Sequence, residues 1–142
     1  MSERDLSIFF PEQVEKREAG FILTPTKRIK GEEGKPVSWE FIYPDYKTFK
    51  EIKEAGQKQS VEGGKILFKS DPDNLFLKAI TECAVFPDLK NAKLQDAYKA
   101  VSPEELLQKM LYPDEVEKLG RDIAVKIGLI DDPMSLLEEA KN

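Results

Sequence analysis

The sequence predicts an α+β protein, with one or two N-terminal β-hairpins packed on a C-terminal bundle of short helices. Three observations carry that expectation. Between Phe21 and Tyr43 apolar residues recur at every second position, the period of a half-buried strand. From Pro72 onward they recur every third or fourth position, the period of a helix. Asp71-Pro72, Ser102-Pro103 and Asp132-Pro133 each place a capping side chain before a proline, which marks helix starts through the second half. The 142 residues suit a single domain with a sizeable core. Within it residues 1–20 read as an arm of mixed charge, 21–69 as a β-rich part with one helix, and 70–142 as a helical part.

The arm carries one apolar knot, Ile8-Phe9-Phe10. It is either docked on the core or exposed as an anchor for a partner. Docking is the simpler expectation, because bare aromatic pairs invite aggregation. Next, F-I-L-T-P-T-K-R-I-K and P-V-S-W-E-F-I-Y flank Gly31–Gly34, a link of hairpin length. Val37, Trp39, Phe41 and Tyr43 share one strand face, which makes Trp39 a core anchor. Pro25 and Pro36 cannot donate to a ladder and belong at an edge or a strand end. A helix follows with Phe49, Ile52 and Ala55 or Gly56 at three-to-four spacing, and then a second short hairpin turning at Gly63-Gly64.

In the second half Asp71 caps a helix whose apolar stripe is Phe76, Ala79, Ile80, Cys83 and Ala84, and Pro87 stops it. A short helix from about Asn91 carries Leu94 and Tyr98, with Asp88 or Asn91 able to cap it. Ser102-Pro103-Glu104-Glu105 reads as a capping box, ahead of Leu106, Leu107, Met110 and Leu111. Tyr112-Pro113 restarts the pattern with Val116, Leu119, Ile123 and Ile127. Gly128 is a left-handed terminator to which Leu129 or Ile130 supplies the accompanying contact. Asp132-Pro133 caps a last short helix through Leu136 and Leu137.

Composition narrows the function. Charged residues make up 35% of the chain and its net charge is −5, without the clustered basic face that nucleic acid requires. No apolar run is long enough for a membrane span, and the N-terminus does not read as a secretion signal. The single cysteine forbids an internal disulfide and fits a reducing, cytosolic compartment. With no histidine anywhere, His-based triads and His-ligated metals are excluded. Cys83 lies on an apolar helix face and reads as a structural thiol. Glu104, Glu105, Asp114, Glu115 and Glu117 resemble a divalent-metal or two-carboxylate site, but most sit in first helical turns, where they complement the macrodipole. No catalytic residue, cofactor or metal is expected.

Three motifs in order carry a resemblance: G-K-P-V-S-W-E-F, P-D-L-K-N-A-K-L-Q-D-A-Y and P-E-E-L-L-Q-K-M-L-Y-P-D-E. Over about residues 27 to 127 the chain resembles the XkdN-like tail assembly chaperones of long-tailed phages and prophages. The resemblance implies a non-enzymatic helper in the cytoplasm of a bacterial host. Such a protein would coat the tape measure protein, help tail tube subunits assemble around it, and leave before the virion is finished. It further implies a longer form made by ribosomal frameshifting near the gene's end. Ala140-Lys141-Asn142 can be encoded with a slippery A-AAA-AAY run, although Lys-Asn is also an ordinary polar terminus. The candidate partner surface is Leu89, Leu94 and Tyr98 at the Pro87-Asp88-Leu89 corner, with Phe9 and Phe10 as a second anchor. The plainer reading of the corner is a helix stop with Leu94 and Tyr98 packed inward. A small cytosolic adaptor of another assembly has the same physical profile, whereas a hydrolase built from Asp, Glu and Lys alone has little to stand on.

Overall fold

The computed structural model describes residues 5–131. After a short 3₁₀ turn at Leu6–Phe9, the elements in chain order are β1 (Gly20–Leu23), β2 (Trp39–Ile42), α1 (Tyr46–Ala55), β3 (Gln57–Glu62) and β4 (Lys65–Ser70). They continue as α2 (Pro72–Cys83), β5 (Ala84–Phe86), α3 (Ala92–Ala97), α4 (Pro103–Met110) and α5 (Pro113–Lys126). The α+β architecture is the one the sequence predicts. The expected last helix after Asp132 lies outside the described residues.

Two sheets form, both antiparallel. The first has the order β1-β2-β5, with Phe21 opposite Phe41 and Leu23 opposite Trp39. The alternation of β2 falls as expected: Trp39 and Phe41 are buried while Glu40 and Ile42 face outward. The expected first hairpin is narrower than its apolar pattern. The ladder stops at Leu23–Trp39, beyond which Thr24 and Ser38 are joined by a side-chain hydrogen bond, and the backbones pair again where Val37 donates to the Ile29 carbonyl and at a Lys30–Pro36 bridge around the Gly31–Gly34 turn. Pro25 has no N–H to give a ladder, and Thr26, Arg28 and Ile29 turn toward the helices instead.

β5 corrects a second expectation, that the chain is helical throughout from residue 70. The first long helix ends at Cys83 rather than running on to Pro87, and Ala84–Phe86 pairs with the free edge of β2. The residue before a proline is disfavoured in the α region, and Val85 and Phe86 suit a strand. The open edge of β2 decides the matter by offering hydrogen bonds. The second sheet, β3-β4, turns at Gly63-Gly64, both with positive φ (58° and 77°), as the Gly-Gly pair predicts.

The core joins the two halves in one cluster. Trp39 and Phe41 from the sheet pack with Ile52 of α1, Ile80 and Cys83 of α2, Leu106 and Leu107 of α4, and Leu119 and Ile123 of α5. Helix α2 is central, touching α1, α4 and α5. Its approach to α5 passes over Gly120, where a Cβ would lie only 2.3 Å from Phe76 Cβ. The caps are those read from sequence: Asp71 accepts from the Asn74 N–H, Asn91 from Leu94 and Ser102 from Glu105. Gly128, at φ 88°, closes α5 with the Leu129 N–H bonded to the Ala124 carbonyl at 2.8 Å, while Leu129 packs on the core.

Candidate protein-binding surfaces

The corner Val85–Tyr98 begins as a strand, not as the end of a helix. After β5 a cis Phe86–Pro87 bond leads into a turn in which Asp88 accepts from the Lys90 N–H at 3.0 Å. Gln95 donates its side-chain amide to the Leu89 carbonyl at 2.8 Å, which ties the turn to α3. Leu89 is core, only 2% exposed, and Leu94 is half-buried against the same cluster. Tyr98, the C-cap of α3, keeps 39% of its surface in solvent. Of the three corner residues, Tyr98 and the outer side of Leu94 are what a partner could touch.

The apolar knot is not docked, contrary to the simpler expectation. Ile8, Phe9 and Phe10 are exposed at 62%, 69% and 50%, on a turn capped by Asp5, which accepts from the Ser7 N–H. The Trp39–Phe41 face is packed against the helices of the core cluster, of which the arm's aromatics are not part. The arm's aromatics therefore stand free, and Arg17 further along it lies over the Tyr43 ring at 4.2 Å.

Sequence reasoning missed two features of the helical layer. One is an open groove of ≈ 400 Å³ floored by Phe76, Leu77, Leu111 and Val116, with Asp73 and Glu117 on its rim. Leu77 lies off the main stripe of α2, which was the available signal. The other is the binding of the 24–38 connection to the start of α5. Arg28 pairs with Glu115, donates to the Met110 carbonyl at 3.4 Å and lies over the Tyr112 ring at 4.3 Å. Glu115 in turn accepts from the Tyr112 N–H at 2.9 Å. The Arg28 guanidinium holds the Glu115 carboxyl down at about 2, assisted by Thr26 and the Tyr112 N–H against the cost of desolvation. The acidic residues thus do more than start helices, because one of them fixes a loop.

Chemically reactive groups are scarce in this arrangement. Burial pushes the Cys83 thiol up to about 12, with a smaller contribution from Glu82, so it stays protonated and inert. Among the described residues no group of three or more His, Cys, Asp or Glu could hold a metal ion, and no helix is long and apolar enough to cross a membrane.

Residues 6–141 match the model of the phage XkdN-like tail assembly chaperone family. The chain belongs to that family. It is 29% identical over 138 residues to the uncharacterized protein YqbN of Bacillus subtilis (strain 168), covering 96% of this chain and 91% of that one. It is likewise 29% identical over 150 residues to the phage-like element PBSX protein XkdN of the same organism, covering 97% and 94%. The crystal structure of YqbN superposes with a TM-score of 0.66 at 22% identity, over 92% of this chain and all of that one, which shows a shared fold. The family is one of assembly chaperones and not a known enzyme family, so the family recognised from sequence stands, while the match reaches beyond the expected residues 27 to 127 into the arm and the C-terminal segment.

Proposed function

We infer that the chain binds the tape measure protein of a long-tailed phage or prophage, keeps it soluble, and supports assembly of the tail tube around it. The observation that carries this reading is the family match across residues 6–141. The exposed Phe9 and Phe10 on the arm and the half-exposed Tyr98 beside Leu94 support it, since they offer apolar contacts that the fold itself does not use. The work is done in the bacterial cytoplasm, by binding rather than chemistry, and the protein leaves before the virion is complete. Tail tube subunits and a longer, frameshifted form of the chain are the further partners. For the longer form, an AAG codon at Lys141 would rule out slippage there.

Co-expression tests the central claim. The cognate tape measure protein should move from the pellet to the supernatant when this chain is present and should co-purify with it. Equal solubility of the tape measure protein alone would remove the basis of the reading.

A further inference from the structure

The β1-β2-β5 sheet is covered on one side only. Phe21 and Leu23 lie opposite Phe41 and Trp39, and all four belong to the core or pack against it. Paired residues share a side of a sheet, and sides alternate along each strand. The other side therefore carries Ile22 opposite Glu40, Gly20 opposite Ile42, and Phe86 across from Glu40 on β5. Ile22, Ile42 and Phe86 are exposed at 65%, 46% and 51%, and Val85, beside the register shift between β2 and β5, at 49%. Ile22, Ile42 and Val85 border an open hollow of ≈ 350 Å³ whose polar side chains are Glu18 and Glu40. Glu40 thus stands amid large apolar groups that gain from being covered.

Charge says what covers them. No lysine or arginine lines the hollow, and among the described residues neither Glu18 nor Glu40 is ion-paired. Counting the flanks does not reverse the sign: residues 15–24, 38–45 and 84–90 together hold five carboxylates against three cations. Of those cations, Arg17 is held over the ring of Tyr43, which packs against the core. An apolar hollow with two unpaired carboxylates in its wall selects an occupant that is apolar and basic. This chain's own segments have the wrong sign. Two copies meeting on this face would set carboxylates against carboxylates, and residues 132–142 hold three acidic residues to one lysine.

We propose that the open side of the β1-β2-β5 sheet docks a basic, amphipathic segment of the partner chain, its apolar side on Ile22, Ile42, Val85 and Phe86 and its lysines or arginines on Glu18 and Glu40. The proposal rests on the chaperone reading above and adds a surface to it.

The test uses the full chain and the cognate tape measure protein as probe. Two variants are compared with wild type: Ile22→Thr/Ile42→Thr, which keeps strand propensity, and Glu18→Gln/Glu40→Gln, which keeps shape and removes charge. Because these side chains lie on the solvent side of the sheet, both variants should fold with unchanged circular dichroism. Should the threonine pair not fold, the glutamine pair decides alone. Each should bind about tenfold more weakly. Wild-type binding should weaken with salt, and that dependence should flatten in the glutamine variant while persisting in the threonine variant. Among overlapping peptides of the tape measure protein, those retained should be basic and amphipathic. Undiminished binding in either folded variant, or retained peptides without lysine or arginine, overturns the proposal while leaving the chaperone reading in place. No binding by wild type overturns both. A concentration-dependent dimer that the threonine variant abolishes would make a second copy the occupant and overturn the proposal.

Discussion

Replacing Gly120 by alanine puts the helix packing to a direct test. In an exposed helix interior the change stabilises by about 1 kcal/mol, since glycine is the poorer helix former. Here the added Cβ would lie 2.3 Å from Phe76 Cβ and 3.0 Å from its Cα. Neither atom can swing away by a rotamer change, because the backbone of α2 places both. To restore an ordinary carbon contact of about 3.5–4.0 Å, the two helices must part by more than about 1 Å. That loosens the packing of α2 on α5, which holds Phe76, Ile80, Leu119 and Ile123. Overpacking a close-packed interior costs about 1–3 kcal/mol, and a clash on backbone-fixed atoms belongs in the upper half of that range. Set against the propensity gain, the net loss is about 1–2 kcal/mol, or a fall in Tm of about 3–8 °C for a chain of this size. Thermal unfolding and urea titration of Gly120→Ala measure it. Stability equal to or above wild type would refute the claim that α2 and α5 meet over this glycine.

Acid titration addresses the Arg28–Glu115 pair. The folded carboxyl sits at about 2 against an ordinary 4.5, so its contribution is complete above about pH 4.5 and is lost as pH falls toward 2. Glu115→Gln should therefore lower stability at neutral pH and flatten the stability curve between pH 5 and 2; identical slopes in the two proteins would contradict the pairing. Cys83, raised to about 12 by burial, should react with a thiol reagent at pH 8 only as fast as the chain unfolds, and rapid labelling in native buffer would show the thiol to be accessible. At the corner, Leu89→Ala should cost about 2–5 kcal/mol as a core truncation. Tyr98→Ala, at the solvent edge, should cost about 1 kcal/mol or less while weakening tape measure binding. Comparable thermal losses in the two variants would return Tyr98 to the core.

What the sequence determined by itself was local. Asp71, Asn91 and Ser102 cap helices because each side chain reaches an N–H only three residues on, and Gly63, Gly64 and Gly128 end or turn elements because their own φ is positive. The alternation that buried Trp39 and Phe41 and the spacing that buried Ile80, Leu107 and Ile123 needed only a chain period, and the family was legible because three such motifs occur in order. Tertiary structure decided whatever depended on a distant neighbour. Ala84–Phe86 became a strand because β2 had an open edge, and Arg28 left the hairpin because Glu115, 87 positions away, offered it a carboxylate. Gly120 was fixed by Phe76 crossing above it. Phe9 and Phe10 stand outside the core cluster, and Val61, Ile66 and Phe68 do so because the hairpin closes on itself beyond the core. A side chain's own spacing tells which residues can be buried, but only the arrangement of the other segments tells which of them are.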